Sequence, residues 1–199
     1  APVVQSVSSS TNGINAQEAA AGIDVIVTLS GTNAVAGDSV ELLLGGATFS
    51  KPIRHTLTAQ DIAAGQVTLA IAQTAGWGED GTKSLTAKLT DIAGNISQSS
   101  QSLQVNLDTT PPSPAFVQTV ADNDVINASE RTAGVWVSGT KDADTTVTLN
   151  GHSVTADTTT WTYFLDQTTI SGFGEGGEAL QIVAEDLAGN RTLSSKVIT

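Results

Sequence analysis

Apolar and polar side chains alternate along much of the chain in short runs, the period-two signature of strands that bury one face. Ser84–Thr90 (SLTAKLT) alternates cleanly. Asp24–Leu29, Ser39–Leu44 and Val67–Ile71 are equally rich in strand formers. Later in the chain Val135–Val137, Thr146–Leu149, Trp161–Phe164 and Leu180–Ala184 read the same way. Gly, Asn and Asp interrupt these runs at intervals typical of a β-sandwich. No amphipathic pattern of helix length appears, so the chain is expected to be all-β. One helical turn is expected where Thr58-Ala59-Gln60-Asp61 forms a capping box. Trp136 and Trp161 lie inside predicted strands and are expected to be buried.

The pattern occurs twice. Ile14-Asn15-Ala16-Gln17-Glu18 returns as Ile126-Asn127-Ala128-Ser129-Glu130, and Gly76–Gly81 returns as Gly172–Gly177. Asp91-Ile92-Ala93-Gly94-Asn95 returns as Asp186-Leu187-Ala188-Gly189-Asn190. The three pairs keep their order, which marks a tandem duplication. The offset falls from 112 residues in the first pair to 95 in the last, so the first copy holds an insertion, expected near residues 45–65. The seam is Leu107-Asp108-Thr109-Thr110-Pro111-Pro112, where two prolines end one sheet and stiffen the path to the next. The expected architecture is two tandem immunoglobulin-like β-sandwich domains, residues 1–108 and 109–199, joined by a short proline-containing linker.

Composition narrows what such modules can do. The 199 residues carry 20 acids against 8 bases, a formal net charge of −12. That balance excludes phosphate backbones and anionic membrane surfaces as partners, since both need clustered Lys and Arg. With aromatics at 4%, two small cores of Val, Ile and Leu are expected rather than one large one. Cysteine is absent, so disulfides and thiolate chemistry are excluded, and bound metal is the usual alternative staple. No run approaches a membrane span. The chain opens at Ala1 with no leader pattern and no initiating Met, and is read as a fragment of a longer protein.

The acids fall in loops. In a seven-stranded sandwich with strands A to G, the A–B, C–D and E–F loops share the outgoing pole; B–C, D–E and F–G share the incoming one. Asp91–Asn95 and Asp186–Asn190 are assigned to F–G turns. Asn12–Glu18 and Asp122–Glu130 are assigned to A–B loops, Glu79, Asp80 and Glu175–Glu178 to E–F loops, and Asp142 and Asp144 to the second B–C loop. Around the seam this pattern gathers Asn12, Glu18, Glu79, Asp80, Asp108, Asp142, Asp144, Asp186 and Asn190. Carboxylates so gathered repel one another without a cation. Oxygen donors without Cys or His select Ca²⁺. The metal-ligand set is therefore Asp108, Asp186, Asp91, Asn190, Asn95, Asp142, Asp144, Glu18, Asp80, Asp122, Asp124 and Glu130. A structural alternative stands beside it: Asp-x-Ala-Gly-Asn is a good turn, with Asp capping through its side chain and Gly tolerating positive φ.

The seam LDTTPP, the two Asp-x-Ala-Gly-Asn turns and the Ile-Asn-Ala-x-Glu segments resemble the bacterial Ig-like repeats of giant type I-secreted (RTX) adhesins of Gram-negative bacteria. The likeness extends over nearly the whole chain. It implies a non-enzymatic extender or spacer on the bacterial cell surface, serving adhesion, biofilm or host attachment. It further implies Ca²⁺ at the junctions, with Asp108, Asp91 and Asp186 as leading ligands. Partners would be neighbouring Ig-like repeats of the same chain. Neither nucleic acid nor direct membrane insertion is implied, and the chain is expected to be monomeric. The insertion in the first copy leaves open whether that module has a binding surface of its own.

Other motifs do not hold. Gly172, Gly174 and Gly177 match G-x-G-x-x-G, but a strand follows where a dinucleotide site needs a helix. Asp122-Asn123-Asp124 starts like an EF-hand, yet Ile126 occupies a ligand position. His55 and His152 stand at non-equivalent places with no convergent partners. The formal glycosylation acceptors Asn95, Asn127 and Asn190 have no bearing in a bacterial protein. Trp77 and Phe173 share a place in the repeat, which favours a corner role. The alternative function is a glycan- or protein-binding Ig-like module, which requires an exposed aromatic or a large apolar patch.

Overall fold

The computed structural model describes residues 1–9, 12–116 and 119–199. Contacts divide the chain into Ala1–Thr110 and Pro111–Thr199. The first unit runs β1 (Val3–Val7), α1 (Ala16–Ala21), β2 (Ile23–Thr28), β3 (Ser39–Leu44), β4 (Ala47–Thr56), α2 (Ala59–Ala64), β5 (Gln66–Ile71), β6 (Gly81–Thr90) and β7 (Leu103–Leu107). Its two antiparallel sheets are ordered β1-β2-β5 and β4-β3-β6-β7. In sandwich lettering these are A-B-E and C′-C-F-G. The second unit runs β8 (Ala115–Phe116), α3 (Ala128–Ala133), β9 (Val135–Thr140), β10 (Thr146–Leu149), β11 (His152–Ser153), β12 (Thr155–Ala156), β13 (Thr160–Leu165), α4 (Gln167–Phe173), β14 (Glu178–Glu185) and β15 (Arg191–Ile198). Its sheets, β12-β13-β9-β8 and β11-β10-β14-β15, give D-E-B-A and C′-C-F-G.

Alternation buries one face of each sheet. In β2 Ile23, Val25 and Val27 point inward, and in β5 Val67, Leu69 and Ile71 meet them from the neighbouring strand. With Val40, Leu42, Leu85 and Ala87 from the other sheet they make one core. A separate core in the second unit joins Val137, Leu149, Leu180 and Ile182 around Trp161, only 1% exposed and edge-on to Phe116 at 5.6 Å. Gly139 faces that ring across the ladder; a Cβ there would lie 2.3 Å from the indole. Among the described residues no helix is long and apolar enough to cross a membrane.

The four α-helices among the described residues are single or double turns between strands, too short for a helical period to show in sequence. α1 and α3 fill the A–B connections. Each starts at a capping box in which an Asn side chain accepts from the third helical N–H and a Glu reaches back to the Asn N–H: Asn15 with Glu18, and Asn127 with Glu130. The insertion of the first copy is a lengthened β4 followed by α2, capped by Thr58 and Asp61. In each unit the segment before strand B lies beside strand G in parallel. Ile14 donates to Asn106 O and accepts from Asp108 N; Ile126 donates to Thr199 O, and Thr199 donates to Asp124 O.

Trp136 departs from expectation. It is 64% exposed because its neighbours Val135 and Val137 take the inward positions of β9, so the period-two rule sends Trp136 outward. There it packs against Phe164, its cross-strand partner, at 5.0 Å between centroids. Strand membership does not bury a residue; register does. Trp161→Ala is expected to destabilise the second unit by about 3–5 kcal/mol, as for other large-to-small changes at buried aromatics. Two-transition denaturant unfolding followed by circular dichroism should show the first unit unmoved.

Candidate functional site

The loop acids act first as acceptors for the main chain. In the first F–G turn, Asn95 donates its backbone N–H to Asp91 Oδ1 and its side-chain amide to Asp91 Oδ2, both at 2.7 Å. Those bonds, the side-chain one foremost, hold the Asp91 carboxyl below its ordinary range. Asn190 binds Asp186 in the same two ways at 2.9 Å, and Gly94 and Gly189 supply the positive φ each turn requires. The two copies differ in cover. Asn95 is exposed, whereas Asn190 is only 5% exposed. The structural role of Asp-x-Ala-Gly-Asn is thus realised in both.

At the end of β7 the seam folds back onto its own unit. Asp80, in the E–F loop, accepts from Thr109 N and Oγ1 through Oδ1 (3.0 and 2.7 Å) and from Thr110 Oγ1 through Oδ2 (2.7 Å). Partial burial opposes ionisation of Asp80, but the Thr110 and Thr109 hydrogen bonds outweigh it and lower the pKa. Asp108 Oδ1 accepts from Thr110 N at 3.2 Å, while Asp108 N bonds Ile14 O of the A–B connection. In the second unit Asp142 Oδ2 accepts from Ser113 N at 2.7 Å. Asp144, two residues on in the same B–C loop, sits at φ 58°. Each unit thus offers a carboxylate to its own end of the seam.

The remaining acids are spoken for differently. Glu18 and Glu130 close capping boxes at 3.0 and 2.9 Å. Asp124 Oδ1 accepts from Val120 N at 2.7 Å and pairs with Lys196 Nζ at 3.1 Å. Burial opposes its ionisation, yet the Val120 and Lys196 bonds lower its pKa. Asp122 adopts φ 65° in the same tight turn. Among the described residues no group of three or more His or carboxylate side chains could hold a metal ion. The donors are all oxygen, a chemistry that suits Ca²⁺, which also accepts carbonyl and amide oxygens.

Three groups that sequence reasoning passed over complete the loops. Asp38, 6% exposed, accepts from Val35 N and from Ile92 N, fastening the first B–C loop to the F–G turn. Lys141 is buried, with Nζ donating to Asp142 O and Thr158 O. Asp166 caps α4 through Thr169 N, and that bond lowers its pKa. The Asp–Gly–Asn spacing that betrayed the F–G turns has no counterpart around these three. The corner aromatics do share a role: Trp77 is buried against Phe49, and Phe173 packs on the second core.

Two sandwiches with A-B-E and C′-C-F-G strand order define tandem immunoglobulin-like modules. No protein-family model matches the chain, and no curated protein matches it in sequence. Solved structures do match. Over its whole length the chain is similar to a Ca²⁺-stabilised adhesin with which an Antarctic bacterium reaches out and binds ice, at 26% identity and a TM-score of 0.55, covering 48% of that chain. The chain thus spans about half the length of that structure. A 1.5-MDa bacterial ice-binding adhesin aligns at 23% identity and a TM-score of 0.49, with 100% of this chain and 63% of that one covered. The fibronectin(III)-like modules of CbhA from Clostridium thermocellum align at 15% identity and 0.44, covering 97% and 92%. The chain therefore resembles part of a bacterial adhesin.

The two Asp–Asn turns make a differential prediction. Asp186→Ala removes the acceptor of a buried amide and should destabilise the second unit by about 1–3 kcal/mol. Asp91→Ala, at an exposed turn, should cost the first unit less; denaturant midpoints of the two variants check the order. The depressed carboxylates fix the pH behaviour as well. Stability they contribute is complete above the unfolded-state value of about 4 and is lost as pH falls through the lower folded-state values. Asp61, held at about 2 by the Thr58 side-chain and backbone bonds and by His55, should give way last. Thermal melts at decreasing pH should therefore be flat in mild acid and fall progressively below about pH 4.

Proposed function

We propose that the chain is a pair of non-catalytic spacer repeats from a large bacterial surface adhesin, stiffened by Ca²⁺ where the modules join. One observation carries this reading: within its own unit Asp80 binds the seam backbone at Thr109, and within the other Asp142 binds the backbone of Ser113 just after the seam, so a carboxylate stands on either side of Pro111-Pro112. The likeness to a Ca²⁺-stabilised adhesin over the full chain supports it. Asp108, Asp80, Asp142 and Asp144 are the leading ligands. Asp186 with Asn190, and Asp91 with Asn95 toward the preceding repeat, come next. Glu18, Glu130, Asp122 and Asp124 contribute least, because their loops already use these acids in caps, turns or an ion pair. Bound Ca²⁺ would neutralise the gathered carboxylates and draw on their oxygens and on main-chain carbonyls.

In this reading the chain's partners are adjacent repeats of the same polypeptide. The chain is monomeric, touches neither nucleic acid nor membrane, and works outside the cell after type I secretion. Ca²⁺ should raise the melting temperature and a chelator should reverse it; at a hundredfold excess over Kd the gain is about 2.7 kcal/mol. Asp108→Ala should leave both modules folded while small-angle scattering shows a broader spread of interdomain distances. Scattering curves indifferent to both Ca²⁺ and this substitution would sink the proposal.

The exposed Trp136–Phe164 pair favours a second reading, a glycan-binding module. The first unit has Asp24 and Ala70 at the corresponding outward cross-strand pair, so the fold does not demand aromatics there. A glycan array on which Trp136→Ala abolishes a signal would support it; a blank array would leave the spacer alone.

A further inference from the structure

The first module leaves open a sheet edge whose counterpart in the second module is covered by a strand of that module's own. β13 carries β12 on its outer side, with Thr155 opposite Thr162 and Ala156 opposite Trp161. β5 is the counterpart of β13, and Thr68 takes the place of Thr162, since each lies opposite the fourth residue of strand B. Among the described residues nothing pairs with the far side of β5, because the chain between β3 and β5 goes into β4 and α2 and then enters β5 directly. The direction of the free peptide groups follows from the ladder. Asp24 uses its carbonyl and N–H toward Ser8 on the β1 side, so Val25 and its neighbours at alternate positions face β5. The N–H and C=O groups of Thr68 and Ala70 therefore point away from β2. Among the described residues no hydrogen bond reaches them.

These groups open onto a groove of about 330 Å³ between β5 and the rim of β4. Its floor includes Leu69 and half-buried Ile53. One end is tied by Ser50 Oγ to Ala75 O at 2.6 Å, the other by His55 to Asp61 at 2.9 Å. The rim is basic: Lys51, Arg54 and His55 line the groove and no acid does, in a chain whose net charge is −12. Arg54 also holds Glu41 and His55 holds Asp61, whereas Lys51 makes no ion pair among the described residues.

We infer that this groove is a docking site for an extended acidic peptide, which adds to β5 as the strand the module lacks. The peptide's main chain would pair with Thr68 and Ala70, its apolar side chains would enter toward Ile53 and Leu69, and its carboxylates would face Lys51 and Arg54. This is strand addition to a free edge, where main-chain bonds supply affinity and alternate side chains supply selectivity. The inference is independent of Ca²⁺ and of the spacer role.

The test uses the full two-module chain and a blocked hexapeptide of alternating valine and aspartate. Titration followed by amide NMR should shift Thr68, Ala70 and their β5 neighbours and leave β12 and β13 unmoved. The same peptide methylated on its backbone nitrogens should bind at least about tenfold more weakly, the effect of losing one or two main-chain hydrogen bonds. Lys51→Glu, at an exposed side chain, should weaken the parent peptide while the melting temperature holds. Ala70→Pro, which removes an outward N–H from an edge strand, should do likewise, with circular dichroism reporting the fold. Overturning results are an unshifted β5, equal binding of a valine–lysine hexapeptide, or self-association of the chain through this edge in place of peptide uptake.

Discussion

A short carboxylate or amide side chain accepting a nearby main-chain N–H is the bond on which this molecule's loops depend. Without cysteine, each sandwich relies on its core to hold the sheets together, and the core says nothing about where the loops go. Asp38, Asp91 and Asp186 set the turns, Asp166, Glu18 and Glu130 serve the helical caps, and Asp80 and Asp142 fasten the chain on either side of Pro111-Pro112. Each satisfies donors that would otherwise need water. Because the acceptors are charged, these bonds are stronger than neutral ones. An acidic chain with few bases is therefore consistent with rigid loops, and much of its charge is placed before any ligand enters.

The strands were legible because their signal is local and periodic. Ser39–Leu44 and Thr146–Leu149 in the sequence reading are the same residues as β3 and β10, and the turn after Thr58 is α2. The changing offset of the duplication led to the expectation of an insertion near residues 45–65; the long β4 and the open β5 edge found there depend on pairings that sequence spacing does not encode. Trp136 shows a second limit. A three-residue run such as Val135–Val137 identifies a strand without stating which face is inward, and a large aromatic biases the guess the wrong way. The helices in the A–B connections were hidden by length, since six residues cannot display a 3.6-residue period.

The loop acids were legible as positions and not as partners. The Asp-x-Ala-Gly-Asn spacing located both F–G turns, and those Asp side chains are committed to the Asn residue four positions on. Asp80 joins Thr109 and Thr110 across 29 and 30 positions in sequence, a pairing that only the fold reveals. The same holds for Asp38 and Ile92. Carboxylates gathered in sequence alignment of the two copies thus separate, in space, into those that shape a turn and those that hold the ends of the seam.

The parallel pairing of each module's A–B connection with its last strand bears on how tension passes through the chain. Ile14 beside Leu107, and residues 124–126 beside Thr199, lie after each module's first strand and beside the end of its last one. Strands that run the same way and are pulled from opposite ends slide past one another, so their hydrogen bonds are strained together rather than unzipped one by one. A module built this way carries part of a stretching load as shear along its last strand.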